Sequence, residues 1–297
     1  MSLISRREVG KLIVAGGASW LVASKLAFSA TMIDSVVRGV QIGAQSYSFR
    51  DRPLDACIEA YQAVGLGECE LYAGHAEPKD LSGEQLRKWR MTVPLTYFHE
   101  IRKKFDDAGI LLYAYNYSFS KLMGDDEIER GFLMANALGV KYITASSQVS
   151  VAPRVDQYAR KYKIIVGFHG HDNTKDPDEF STPDTFARAM SGASEFIGIN
   201  LDIGHFTAAG GDAVAFLREH HDHIVTLHIK DRKKNHGANR RFGEGDTPIV
   251  EVLRLLRDNR WKIPANIEYE YGDDIKGLDA VTEVKKCYEY CRKALET

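Results

Sequence analysis

Cysteine is scarce in this 297-residue chain. The four present, Cys57, Cys69, Cys287 and Cys291, form no CxxC pair, which excludes a zinc knuckle or a thioredoxin-type redox motif. One disulfide is open to them in an oxidising compartment, but scattered cysteines in a large domain more often pack as small apolar side chains. A surplus of either charge is also lacking: 39 Lys and Arg stand against 41 Asp and Glu, a formal net charge of -2. No global field then draws the protein to phosphate backbones or anionic lipid, and nucleic acid is a poor partner. No GxGxxG follows the first strand-like run, and no GxxxxGK[ST] or low-complexity linker occurs, so the nucleotide-binding fingerprints are missing too.

Long apolar runs are confined to residues 1–30. The segment SRREVGKLIVAGGASWLVASKLAFSA has two adjacent arginines, an apolar stretch rich in Gly and Ala, and small residues near Ala27 and Ser29. It looks like a twin-arginine export signal. The stretch from Leu12 to Leu26 is short for a membrane span and is interrupted by Lys25, so export with cleavage is favoured over an anchor. Residues 1–30 are therefore expected to be the signal and residues 31–297 the mature domain, periplasmic or secreted, with no stable membrane span once cleaved.

What the mature chain does have is alternation. VQIGAQSYSF reads as a strand, LDACIEAYQAVGLG as an amphipathic helix closed by Gly65 and Gly67, and ECELYAG as the next strand, which makes one βαβ step. A polar segment with a helix near Pro94 to Ala108 leads to GILLYAYNYS; helix DDEIERGFLMANALGV then precedes KYITASS. PRVDQYARKY precedes KIIVGFHGH, PDTFARAMSG precedes FIGINLDIG, DAVAFLREHH precedes IVTLHIKD, and PIVEVLRLLRDN precedes IPANIEYEYG. Parallel neighbours need right-handed crossover helices, and this many units close most simply into a single-domain α/β (β/α)8 TIM barrel of the usual length, about 250 residues. An open doubly wound sheet is the alternative.

Four of these runs, VGFHGHDN, INLDIGHF, VTLHIKDR and ANIEYEYG, carry a metal-binding side chain at or near the strand end: His169, Asp202, His228 and Glu268. The carboxyl ends of barrel strands are where such folds place their chemistry, and successive strands would deliver one N or O ligand each to a common rim. His171 shares a strand face with His169, and Glu270 with Glu268, by period-two alternation. His205 follows Gly204 in the DIGH turn. Lys230 is placed to pair with a developing oxyanion. Gln45, Glu70, His75 and Asn116 end the first three strands and are candidate contacts for sugar hydroxyls, and Arg240 and Arg241 precede the FGEGD loop as candidate anion binders. Tyr47, Phe49, Tyr72, Tyr115, Tyr117, Phe168 and Phe206 lie near the same rim, where rings stack on sugar faces or fill a core.

From about Val40 onward the chain resembles the xylose-isomerase-like barrels, the sugar phosphate isomerase/epimerase superfamily that also holds inosose dehydratases, dehydroshikimate dehydratases and endonuclease IV. The residues that carry the resemblance are the LDIGHF run with Asp202 and His205, LHIKDR with His228 and Lys230, the FGEGDTP loop, and IEYEYG with Glu268. It implies a divalent ion, manganese, zinc, magnesium or cobalt, held by residues of strands five to eight. Asp202, His228 and Glu268 match three of those ligands. The fourth, a glutamate in most of the family, aligns with His169, which either replaces it as ligand, the favoured reading, or leaves three protein ligands and serves the substrate. A set of two histidines and two carboxylates is chemically borderline and leaves the metal's identity open.

The implied chemistry is proton abstraction next to a carbonyl, with the enediolate charge stabilised by the ion. Glu268, or Glu70 at the end of strand two, is the expected base, with His171 and Lys230 as further catalytic candidates. The expected activity is a sugar or keto-sugar isomerase or epimerase acting on a small molecule. Loss of the strand-five glutamate weakens a simple two-carboxylate epimerase, so a carbon-oxygen lyase acting on an inosose or 3-keto-glycoside is the alternative. A nuclease is disfavoured by the near-neutral charge, and an oligomer is compatible with the sequence.

Overall fold

The computed structural model describes residues 31–273 and 275–297; the expected export signal lies outside them. Parallel strands β1 (Val40–Gln45), β2 (Glu68–Tyr72), β3 (Leu111–Asn116), β4 (Tyr142–Ala145), β5 (Ile165–His169), β6 (Ile197–Asp202), β7 (Ile224–Ile229) and β8 (Ala265–Ile267) pair in chain order. Pairing of β8 with β1 and of β1 with β2 closes the ring. The protein is a single-domain (β/α)8 barrel. Outside the ring, Val36–Val37 forms a short antiparallel hairpin with the start of β1. No described helix is long and apolar enough to cross a membrane.

The crossover helices are α1 (Leu54–Val64), α2 (Thr96–Asp107), α3 (Asp125–Ala137), α4 (Ala152–Tyr162), α5 (Pro183–Met190), α6 (Ala213–His220), α7 (Ile249–Asn259) and α8 (Ala280–Glu296). Gly65, at φ 89°, stops α1 in the left-handed conformation that glycine adopts at little cost. Among the elements that the sequence pattern leaves out is a helix at Gly83–Thr92 with no buried residue, in the β2–β3 connection. Its polar residues Glu84, Gln85, Arg87, Lys88 and Arg90 outnumber Leu86, Trp89 and Met91, so it reads as part of a polar connection. All four cysteines are buried and free.

Strand alternation sorts the core into two shells. Ile42, Leu71, Val166, Phe168, Ile199, Leu201, Leu227, Ile229 and Ile267 are buried and have the parity that faces the helices. The opposite parity points at the barrel axis, and there the residues are polar: Gly43 and Gln45 on β1, Glu68 and Glu70 on β2, Asn200 and Asp202 on β6, Thr226 and His228 on β7, Asn266 on β8. Branched aliphatic layers usually fill this space. A polar interior must be hydrogen-bonded to be tolerated, and much of this one is: Asn266 Nδ2 donates to Thr226 Oγ1 at 3.0 Å, and Gln45 Nε2 to Glu70 Oε1 at 2.8 Å.

Asn200 Oδ1 and Asn266 Oδ1 are buried without a partner, and so are both carboxyl oxygens of Glu68. Burial, reinforced by the charge of Glu70, pushes its carboxyl well above the usual range, so the neutral acid is the form that fits. Gly43 makes room for it, since a Cβ there would lie 1.7 Å from Glu68 Oε2 and 2.3 Å from Asn266 Oδ1. Gly43→Ala is therefore expected to destabilise the barrel by about 1–3 kcal/mol through overpacking. Urea unfolding measures this, and an unchanged midpoint would contradict the packing described.

Candidate metal and substrate site

At the carboxyl end of the barrel β5 to β8 bring His169, Asp202, His228 and Glu268 together. One ligand atom from each lies within 4.8 Å of the others, and all four residues are buried. Register explains the meeting: Asp202 and His228 are direct cross-strand partners, and Glu268, one residue beyond β8, continues the ladder by donating its N–H to Ile229 O at 3.0 Å. Asp202 also caps the short helix Ile203–Ala208, its Oδ1 accepting from His205 N at 2.7 Å. That bond fixes the carboxylate and turns Oδ2 toward the axis.

The donor set fits a divalent cation. His169 Nε2 is buried without a hydrogen-bond partner, 3.4 Å from Asp202 Oδ2, and a buried unpaired nitrogen is costly unless an ion completes it. Burial pulls the His169 imidazole down to about 3, so it is neutral and its lone pair is available to a metal. His228 Nδ1 lies 3.1 Å from Glu268 Oε2 and 4.0 Å from Asp202 Oδ2, so Nδ1 is the nitrogen that faces the cluster. Two nitrogens and two carboxylates suit manganese, zinc, cobalt or iron.

Glu70 has a different place from the one expected. It is fully buried and sits beneath His228, its two oxygens 3.0 and 2.9 Å from Nε2, and it does not line the cavity above. Screened in this way it cannot reach a substrate carbon, and its role as base is withdrawn. It fixes the tautomer and tilt of His228 instead, as carboxylates behind ligating histidines commonly do. Burial opposes charge on His228, but Glu70 and Glu268 raise its pKa well above the ordinary value, so a cation bound at Nδ1 would have to displace the proton there. Glu70→Gln is expected to weaken manganese binding about 10–100-fold while the barrel stays folded. Competition with a chelator reads this directly, and unchanged affinity would remove Glu70 from the site.

Above the cluster lies a cavity of about 320 Å³ that Gln45, Asn116, His171, His205, Lys230 and Glu270 line together with three of the ligands. Lys230 is buried at its centre, with Nζ 3.0 Å from Asp202, 2.8 Å from Glu268 and 2.7 Å from Glu270. Burial opposes its charge, yet these three carboxylates keep it protonated, and it in turn holds Glu268 below the usual carboxylate range. His171 Nδ1 is anchored 3.0 Å from Glu179 Oε1; burial lowers its pKa, but Glu179 more than offsets this and raises it overall. His205 lies between two cations, Nε2 3.1 Å from Lys230 Nζ and Nδ1 2.6 Å from Arg232 Nη1, and since an imidazole has one acceptor nitrogen only one of these contacts is a hydrogen bond. Asp172, 3.0 Å from Arg232, completes that chain.

His75 and Arg240 are not among the lining residues. Arg240 pairs with Asp231 across a small hairpin and donates to Asn239 O, its neighbour's carbonyl. His75 is buried, 2.9 Å from Ser46 Oγ and 3.2 Å from the carbonyls of Phe49 and Arg52, and it ties the β1–α1 loop to the turn after β2. Burial, with help from Lys79, pulls it down to about 4 from 6.5. The unfolded chain thus binds a proton in this window that the folded chain refuses, and stability falls as pH drops from 6.5 toward 4. This accounts for up to about 3 kcal/mol. His75→Gln should flatten that limb of the stability–pH profile, and an equally steep limb would exclude His75 as its source.

Residues that the sequence reading passed over are Ser118 and Ser146, which line the cavity, and Glu179, which carries no strand-end signal. Of the rim aromatics, Tyr47 and Tyr72 line the cavity, while Phe49, Tyr115, Tyr117, Phe168 and Phe206 are core.

The family model for xylose isomerase-like TIM barrels matches residues 58–293, and the chain belongs to that family. An inosose dehydratase of Lactiplantibacillus plantarum is 29% identical over 98 residues, a stretch covering 32% of this chain and only 31% of that protein. Among solved structures, a sugar phosphate isomerase/epimerase from Parabacteroides distasonis superposes with a TM-score of 0.65 at 16% identity, over 88% of this chain and 98% of that one. An IolI protein with a bound zinc atom superposes with a TM-score of 0.63 at 16% identity, over 86% and 98%. At these identities the structures attest the shared fold.

Proposed function

We propose that this protein is a divalent-metal-dependent isomerase or epimerase of a sugar or keto sugar, working by proton abstraction next to a carbonyl. The observation that carries the reading is the buried ligand cluster opening into a polar cavity of sugar-like size, with a charged lysine and two carboxylates at its floor. An ion held by His169, Asp202, His228 and Glu268 would supply Lewis-acid stabilisation of negative charge developing on substrate oxygens. The chain's own residues supply the rest. Glu268, kept ionised by Lys230 and His228, accepts the proton from carbon. Lys230 Nζ, pinned between three carboxylates, presents a fixed positive charge to the forming oxyanion without reorganising. Gln45, Asn116, His205 and Glu270 bind and orient the hydroxyls.

The expected export of residues 31–297 would place this activity in the periplasm or outside the cell. The test is incubation of the manganese-loaded mature protein with a panel of keto sugars in deuterated water. Deuterium next to the carbonyl supports the reading; no exchange with any keto sugar overturns it.

A second reading, a carbon-oxygen lyase, is favoured by His171, which faces the cavity and whose proton Glu179 holds more firmly than in a free imidazole, the group placed to protonate a departing oxygen. The short match to an inosose dehydratase is consistent with it. The same incubation separates the two, since a lyase loses water or an alcohol from the substrate and an epimerase returns an isomer of unchanged mass.

A further inference from the structure

Below Glu70 the barrel interior holds a second buried acid that no step of the proposed reaction uses. Glu68 is two residues before Glu70 on β2 and shares its inward parity, so it stands one layer deeper along the axis. It is fully buried, and neither carboxyl oxygen has a hydrogen-bond donor. Asn266 stands beside it. A Cβ on Gly43 would lie 1.7 Å from Glu68 Oε2 and 2.3 Å from Asn266 Oδ1, which makes the two oxygens neighbours, and Oδ1 too is buried and without a donor. Two acceptors facing each other away from water leave both unsatisfied, which is costly.

Turning the amide round does not end the conflict. Asn266 Nδ2 lies 3.0 Å from Thr226 Oγ1 and 3.4 Å from Glu70 Oε2. Thr226 gives its one hydroxyl proton to Pro264 O, 3.3 Å away, so its oxygen can only accept from Asn266. Glu70 is likewise an acceptor, its Oε1 taking hydrogen bonds from Gln45 Nε2 at 2.8 Å and Thr144 Oγ1 at 2.5 Å. A reversed amide would set Oδ1 against both. The remaining remedy is a proton on Glu68, which lets Oε2–H donate to Asn266 Oδ1 while Asn266 donates to Glu70 and Glu70 accepts from His228 Nε2. It also spares the interior a second negative charge next to Glu70. We propose that Glu68 is a neutral acid that serves as a positioning residue, holding Glu70 through Asn266 behind the ligand His228. This role rests on the metal site and not on which reaction the site performs.

Manganese affinity, measured by competition with a chelator, and an infrared spectrum test this without requiring turnover. Glu68→Gln keeps a donor for Asn266 Oδ1 and should bind manganese within about twofold of wild type, whereas Glu68→Met removes the donor at similar volume and should bind about tenfold more weakly. Difference infrared spectroscopy of the metal-free proteins at neutral pH should show the C=O stretch of a protonated carboxyl in wild type that Glu68→Gln removes. Rescue by glutamine and that band are readouts that a merely space-filling side chain would not give. Absence of the band, a loss in Glu68→Gln as large as in Glu68→Met, or wild-type affinity in Glu68→Met overturns the proposal. Should Glu68→Met misfold, Asn266→Leu breaks the same link from its other side and takes its place, and the infrared comparison stands in either case. Wild-type protein that binds no manganese would remove the metal site and the positioning role with it. The expected affinities and band without deuterium exchange would overturn the isomerase reading and uphold the role of Glu68.

Discussion

Asp202→Asn protein is expected to unfold at nearly the wild-type temperature, yet to carry almost no divalent metal and to exchange substrate protons about a thousandfold more slowly. The two halves of this expectation come from the two oxygens of one side chain. Oδ1 caps the helix Ile203–Ala208 by accepting from His205 N, and an asparagine carbonyl oxygen does the same at little cost. Oδ2 is the buried atom that faces His169 Nε2 and Lys230 Nζ, and the amide that replaces it brings no negative charge to a cation. Elemental analysis gives the metal content and mass spectrometry the exchange. Retention of metal with exchange within about tenfold of wild type would mean that Asp202 is not a ligand, and the site would have to be redrawn.

Lys230→Met should have the largest effect on stability, a loss of about 3–5 kcal/mol measured by urea unfolding with a chelator present. Lys230 is 2% exposed and its ammonium is within 3.0 Å of Asp202, Glu268 and Glu270. Methionine fills much of the same volume but leaves those acids facing one another without a counter-charge. Saturating manganese should restore part of the loss, about 2.7 kcal/mol at a hundredfold excess over its dissociation constant, because an ion held by Asp202 and Glu268 neutralises two of the same groups. If the variant proves as stable as wild type, the acids are not ionised together and the electrostatic account of the cavity fails.

The glycine at position 204 belongs to the same argument. A Cβ there would lie 2.8 Å from Lys230 O and 2.9 Å from its Cβ, so the DIGH turn packs directly on the segment that carries Lys230. The close approach sets both His205 and Lys230 against the carboxylates.

Much of the site was legible because strand-end position is a local property. A short apolar run that ends in His, Asp or Glu places that side chain at a barrel rim whatever else the chain does, and His169, Asp202, His228 and Glu268 were readable on that ground. His171 and Glu270 followed from alternation alone. Glu70 misled for the same reason: it has the parity and strand position of a rim residue, but β2 begins its inward series with Glu68 and leaves Glu70 one layer below the cavity, under a histidine from the far side of the ring. His75 also follows a strand end, yet the turn at Ala73–Ala76 carries it away from the axis into the β1–α1 loop. Glu179 lies in a loop whose sequence has no periodic signal, and only its 3.0 Å approach to His171 gives it a part.

By itself the sequence determined the barrel, its strand order and the residues offered to its rim, because periodicity, crossover handedness and strand length are properties of neighbouring residues. Only tertiary structure decided the depth of each polar group along the axis, the pairing of Glu70 with His228 across the ring, and the placing of Lys230 among three acids. These depend on closure and on side chains distant in the chain, where distances of a few ångströms and the low dielectric of the interior set which groups are charged and which are out of reach.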